Sequence, residues 1–254
     1  MTSRKPSYAA WASSDTGCVR SQNEDFHLVA SSIGLYALAD GMGGTAGGDV
    51  ASKVAVEAIA EYIAKDNCRG ERCLVDAFHL AHARVRQAAS ADDRIAEMGT
   101  TLVALLEGID EDYIASVGDS RAYLFESGHL RQLTADQTWV NEIGRRIGIP
   151  DENLTTHPMR HVLTVAVGVA ETLRVQTITV RPNPGALVLL CCDGLHGPVP
   201  ESAIASILTL ETSLEEKCKS LIRAAQLAGG PDNITVVLAQ RLAHDNQEFS
   251  TSGV

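Results

Sequence analysis

Strand-length apolar runs fill this chain, yet they come in blocks separated by paired amphipathic segments rather than in regular strand and helix alternation. That order disfavours a doubly wound parallel sheet and predicts an α+β fold. Runs at 8–13, 26–30 and 34–39 read as early strands. The segment 49–65 then places Val50, Val54, Ile59 and Ile63 at helical spacing, and 71–89 continues with Leu74, Phe78, Ala81 and Val85. Strands follow at 101–107, 112–118, 121–126 and 129–133, the last two joined by the hairpin dipeptide Ser127-Gly128. After a polar stretch broken by Gly144, Gly148, Pro150 and Pro158, strands return at 174–180 and 186–192, helices at 200–209 and 213–228, and a last strand at 233–241. One domain over 1–243 is expected, with a mobile surface flap inserted at about 134–160, a short helical stretch near 136–146 and a polar tail at 244–254.

Charge and composition narrow the function classes. With 21 Lys+Arg against 32 Asp+Glu the formal net charge is −11, which excludes nucleic-acid binding through bulk positive charge. No run of 18 apolar residues and no apolar stretch near the amino terminus occurs, so neither a membrane span nor an export signal is expected. The six cysteines are too few and too scattered for a disulfide scaffold, so reduced thiols and a cytoplasmic location are expected.

The acids are informative by position. Asp40, Asp119, Asp193 and Asp232 each border an apolar strand and adjoin Gly or Asn. A single Asp-Gly pair is by default a turn or cap. A carboxylate at the end of a buried strand, however, is desolvated at a cost of several kcal/mol unless a cation or hydrogen bonds compensate. Four such groups converging predict a metal, and hard oxygen ligands without regular His or Cys partners select Mg²⁺ or Mn²⁺ over Zn²⁺.

Six motifs carry a resemblance across nearly the whole chain: Arg20-Ser21-Gln22-Asn23-Glu24-Asp25, Ala39-Asp40-Gly41-Met42-Gly43-Gly44, Met98-Gly99-Thr100-Thr101, Val117-Gly118-Asp119-Ser120-Arg121, Cys192-Asp193-Gly194-Leu195 and Gly230-Pro231-Asp232-Asn233. In that order they resemble the metal-dependent type 2C (PPM) Ser/Thr protein phosphatases, in the small stand-alone bacterial form. The resemblance implies a four-layer α-β-β-α sandwich of two antiparallel sheets flanked by paired helices. It also implies two tightly bound Mn²⁺ or Mg²⁺ ions and a third, weaker one. Asp40 would bridge two metals, the Gly41 carbonyl would bind one, and Asp193 and Asp232 the other. Asp119, sharing Asp193, would hold the third. Glu24 and Asp25 would act through metal-bound waters, and Arg20 would bind the substrate phosphate, as its planar donors suit. A metal-bridged hydroxide would attack phosphorus directly, with no phosphoenzyme. Phosphorylated proteins are the implied substrates and a cognate bacterial Ser/Thr kinase the implied counterpart of a monomeric enzyme.

Departures from that pattern mark where substrate preference and flap chemistry are open. Met42 stands where eukaryotic relatives carry a proton-transferring His, leaving a metal-bound water, His27 or His161 for the leaving group. Thr45 replaces a usual His, the flap begins Asp136-Gln137-Thr138, and Val165 stands where Arg is common. His161, in the flap, is the one histidine placed to approach a bound phosphopeptide.

Competing readings are weaker. The glycines at 43, 44, 47 and 48 lack a Gly-Lys-Ser/Thr or Gly-x-Gly-x-x-Gly context. Cys68, Cys73, His79 and His82 miss the common zinc spacings. Cys191 and Cys192 read as buried strand thiols, and Ser120 lacks a nucleophile elbow. A non-catalytic phosphoprotein-binding domain would lack some of the acids, and here all are present. A third reading keeps the enzyme but turns it toward phosphorylated anti-sigma-antagonist-type proteins or a small phosphoester.

Overall fold

The computed structural model describes residues 7–43, 47–66, 69–154, 156–169 and 171–243. Two antiparallel sheets face one another. The first carries β1 (Tyr8–Asp15), β11 (Ile234–Arg241), β10 (Leu187–Cys191), β7 (Arg121–Glu126) and β8 (His129–Gln132), in that order. The second runs β2 (Asp25–Ala30), β3 (Leu35–Met42), β5 (Leu102–Leu106), β6 (Asp112–Val117) and β9 (Gln176–Val180), with the short β4 (Gly99–Thr100) paired to the end of β3. Helices α1 (Gly48–Asp66) and α2 (Glu71–Ala91) cover the second sheet, and α5 (Glu201–Thr209) and α6 (Leu214–Leu227) cover the first.

The two-residue alternation of strand side chains divides the interior into three apolar layers. On β3, Leu35, Ala37 and Ala39 pack toward α1 and α2, while Tyr36 and Leu38 enter the core between the sheets. On β10, Leu187, Leu189 and Cys191 pack toward α5 and α6, while Val188, Leu190 and Cys192 face the other sheet. The strands are apolar on both faces because both faces are covered, so they read as continuous runs. At the far end of the sandwich, the buried Asp112 carboxylate accepts hydrogen bonds from Tyr8 Oη (2.7 Å) and Arg241 Nη1 (2.9 Å) and pins β1 and β11 to the opposite sheet.

Several local expectations are modified. Asp193 does not simply end a strand but opens a single helical turn, α4 (Asp193–His196), and α3 (Asp151–Leu154) lies inside the polar stretch. The helical part of that stretch is a π-helical turn over Val140–Gly144. The segment is anchored at its start: Gln137 is buried, its backbone N donates to Gly118 O (3.0 Å) and its side-chain oxygen accepts from Gly118 N (2.8 Å). The expectation of uniformly reduced thiols is corrected at Cys73, which is disulfide-bonded; Cys18, Cys191, Cys192 and Cys218 are free. Scatter along a chain does not tell which sulfurs folding brings to bonding distance. Thr45, Cys68 and the tail at 244–254 lie outside the described residues. No helix among the described residues is long and apolar enough to cross a membrane.

Leu190 is fully buried between the sheets. Leu190→Ala removes packing that neighbouring strands cannot refill, so urea unfolding should show a loss of about 2–5 kcal/mol.

Candidate metal centre

One end of the inter-sheet space is acidic, and strand register builds it. Asp25 and Asp40 are direct cross-strand partners on β2 and β3. Asp40 lies two residues beyond Leu38 and therefore continues the face that carries the inter-sheet core. Opposite, Cys192, the residue just after β10, lies on the same inner face. Carboxylate oxygens of Asp25 and Asp40 and the Cys192 sulfur all lie within 4.8 Å of one another.

Backbone contacts fix this end. Asp40 N donates to Thr101 Oγ1 (3.0 Å), and Asp40 O accepts from Thr100 Oγ1 (2.8 Å) and Thr101 N (2.9 Å). Ser120, weighed above as a nucleophile, is instead buried with its hydroxyl bonded to Thr101 Oγ1 at 2.7 Å. Gly41 has no room for a side chain: a Cβ there would come within 2.0 Å of Gly48 O and 2.5 Å of Glu24 O. At Gly194 a Cβ would come within 1.8 Å of Asn233 O. These two glycines let the loops close over the acids.

Asn233 is the residue whose role the sequence left unassigned. Its side-chain oxygen accepts from Glu24 N (2.8 Å), and its Nδ2 donates to Thr16 O (3.0 Å) and Gln22 O (2.8 Å). It thereby buckles the loop bearing Arg20 and Glu24 to the start of β11, beside Asp232. Its place in an Asp-Asn pair signalled importance, but only the fold shows the long-range clasp.

Arg20, Glu24, Asp40, Gly41, Asp119, His161, Asp193 and Asp232 line a single cleft of about 330 Å³, together with Met42, Gly43 and Thr101. Arg20 Nη2 donates to Asp232 Oδ2 at 2.8 Å. His161, on the exposed rim, places Nδ1 3.9 Å from Asp193 Oδ2. Asp119 is held from below, its carbonyl accepting from His196 Nε2 at 3.0 Å. Asp25 does not line the cleft; it lies sealed behind it, and neither of its carboxylate oxygens has a hydrogen-bond partner among the described residues. His27 lies on β2 outside the cleft lining, and Val165 is buried in the apolar layer under α1 and α2.

The electrostatics follow from burial and crowding. Burial, then Asp25 and Asp193, pushes the Asp40 carboxyl well above the usual carboxylate range. Burial raises Asp119 to about 8, with Asp193 adding, and raises Asp25 to about 7, with Asp193 and Asp232 adding. Asp193 and Glu24 are also raised, chiefly by burial. An unpartnered buried carboxylate such as Asp25, amid like charges, is costly to ionise without a cation. Clustered carboxylates and the Gly41 carbonyl form a hard-oxygen donor set, so Mg²⁺ or Mn²⁺ fits these residues.

Known proteins similar to the chain are named as serine/threonine phosphatases. The profile of a family described as Protein phosphatase 2C matches residues 20–229. The serine/threonine phosphatase stp of Listeria welshimeri is 36% identical over 235 residues, covering 89% of this chain and 93% of its own. The crystal structure of the Mycobacterium tuberculosis serine/threonine phosphatase PstP/Ppp superposes with a TM-score of 0.85 at 34% identity, covering 93% of this chain and 99% of that one. A catalytic domain of PstP solved in complex with two manganese ions gives a TM-score of 0.82 at 32% identity, covering 93% and 99%.

The raised carboxyls fix the sign of a pH effect. Each holds a proton in the folded state that the unfolded chain releases near pH ~4. Their contribution to stability is therefore full below that pH and is lost as pH rises through about 7 for Asp25 and about 8 for Asp119. In chelator, the melting temperature should fall between about pH 5 and pH 8, and Mn²⁺ should raise it more at the upper pH, where it competes with fewer protons. A metal-induced shift that is larger at the lower pH would contradict this assignment.

Proposed function

The chain belongs to the protein phosphatase 2C family and is a serine/threonine protein phosphatase, and from that premise we propose that it hydrolyses phosphoserine and phosphothreonine by direct hydroxide attack, without a phosphoenzyme. Asp40, the Gly41 carbonyl, Asp193 and Asp232 would hold two Mn²⁺ or Mg²⁺ ions, and Asp119 with Asp193 would hold a third more weakly. When bound, such ions would activate water at neutral pH and neutralise charge on the phosphoryl oxygens.

The chain's own residues do the positioning. Arg20 keeps one nitrogen on Asp232, and its other donors make no further hydrogen bond among the described residues, which leaves them for the phosphate. Glu24, on the cleft wall, orients water. Asp25 acts from behind Asp40, where its carboxylate, without a hydrogen-bond partner among the described residues, would stay ionised against the positive charge of bound ions. Met42 lines the cleft but carries no transferable proton, so the leaving alkoxide takes its proton from cleft water or from His161 on the rim. We assign the enzyme to the cytoplasm, as a monomer opposing a Ser/Thr kinase.

The observation that carries this reading is the convergence of Asp40, Asp119, Asp193 and Asp232 on one cleft with Arg20 paired to Asp232 at its edge. Hydrolysis of a phosphothreonine peptide should require Mn²⁺ or Mg²⁺, stop with chelator, and fall by orders of magnitude in Asp193→Asn. Folded, metal-loaded protein that turns over neither this peptide nor an aryl phosphate would instead support a phosphoprotein-binding domain. Arg20→Ala should lower kcat/KM by roughly 10- to 100-fold, the scale of one charge-assisted hydrogen bond, mainly through KM.

A further inference from the structure

A second cavity, about 480 Å³, opens from the metal cleft and shares Asp119, His161 and Asp193 with it. Its other wall comes from the 134–160 segment. Most charges around it are already matched. Arg121 donates to Asp136 through Nε (2.8 Å) and Nη2 (2.6 Å), a bidentate pair. Arg145 lies 3.3 Å from Asp151. Asp119 and Asp193 belong to the metal centre. Arg160 remains: it lines the cavity, is exposed, and makes no ion pair with any described residue.

The turn that carries Arg160 is built rather than loose. Trp139 stacks on His157, with ring centroids 4.8 Å apart and planes 14° apart. Met159 N donates to His157 Nδ1 (3.1 Å), Arg160 N donates to His157 O (3.0 Å), and Trp139 N donates to Val162 O (2.8 Å). A guanidinium without a counter-ion among the described residues, carried on an anchored turn beside the cleft of a chain with net charge −11, is a recognition element in want of an anion.

We infer that Arg160 binds an acidic side chain of the substrate, within about three residues of the scissile phosphoserine or phosphothreonine. The inference rests on the phosphatase reading, because the phosphate in the cleft is what brings the neighbouring residue over this cavity. An extended chain advances about 3.3 Å per residue, so one to three residues take a side chain from the cleft into the adjoining space. The overall negative charge draws basic peptides at long range, but at physiological salt such attraction fades beyond about 8 Å. Contact with Arg160 is short-range and selects the opposite sign.

The test uses full-length, Mn²⁺-loaded protein and phosphothreonine peptides carrying Asp or Lys at each of three positions on either side of the phosphothreonine. The readout is the ratio of kcat/KM for each Asp and Lys pair, which cancels any general effect of a substitution. The wild type should prefer Asp at one or more positions by about tenfold, expressed in KM with little change in kcat. Arg160→Glu should invert the preference, and Arg160→Lys should keep part of it. Turnover with no preference at any position, or a preference that survives Arg160→Glu, overturns the inference alone. Failure of the wild type to hydrolyse even an aryl phosphate overturns the phosphatase reading and this inference with it.

Discussion

The facing surfaces of the two sheets change from apolar to acidic over one strand period. Tyr36 and Leu38 fill the inter-sheet core, and Asp40, next on the same face of β3, is crowded against Asp25 across the ladder. The core's closure thus determines how tightly the acids are held. Those acids are dry because the sheets pack, and they repel because the strands stay in register. A shift of one residue between β2 and β3 would turn Asp25 to the helix side and break the cluster. The remaining architecture supports that juxtaposition, with Thr100 and Thr101 locking the Asp40 backbone and Asn233 clasping the Arg20 loop to β11.

Much of this was legible because the deciding signals are local. Apolar runs bordered by Asp-Gly, Gly-Asp or Asp-Asn located all four cleft aspartates, blocks of strands between paired helices pointed to an α+β fold, and the resemblance of the motifs supplied its layering. What sequence left hidden depends on contacts between distant segments. That Asp25 sits behind the cleft rather than in it follows from its pairing with Asp40, which no spacing reveals. The short turn opened by Asp193 is too brief to show helical periodicity. Gln137 reads as an ordinary polar flap residue, yet it is buried and holds Gly118 from both its backbone and its side chain. Val165 shows the converse: as a departure from a familiar pattern it suggested altered flap chemistry, while its burial under α1 and α2 gives it a packing role.

The flap segment accordingly belongs to the site's framework at its two ends. Gln137 ties its beginning to the residue before Asp119, and Glu142 accepts from Arg174 (3.1 and 2.8 Å) and Thr164 (2.6 Å) across its return. Between those anchors the Trp139 and His157 stack fixes the turn that presents Arg160 and His161. Arg160 and His161 are thus carried on irregular backbone held by buried polar contacts, while the cleft acids stand at or just beyond the ends of strands. The division suits the chemistry: the reaction centre tolerates little displacement, and recognition of different phosphoproteins needs surface that can vary without disturbing it.

The same electrostatics impose an order on catalysis. A phosphate group brings about two negative charges at neutral pH. The cleft that must receive it is lined by Glu24, Asp40, Asp119, Asp193 and Asp232, with Arg20 already paired to Asp232 and His161 at the rim. Burial raises the carboxyl pKa values of Asp40, Asp119 and Asp193, so these acids are costly to ionise without a cation, and once ionised they would repel a phosphate that only one cleft guanidinium attracts. Where these carboxylates hold divalent cations as proposed, the cations would neutralise them before phosphate enters, and substrate affinity would be linked to metal occupancy.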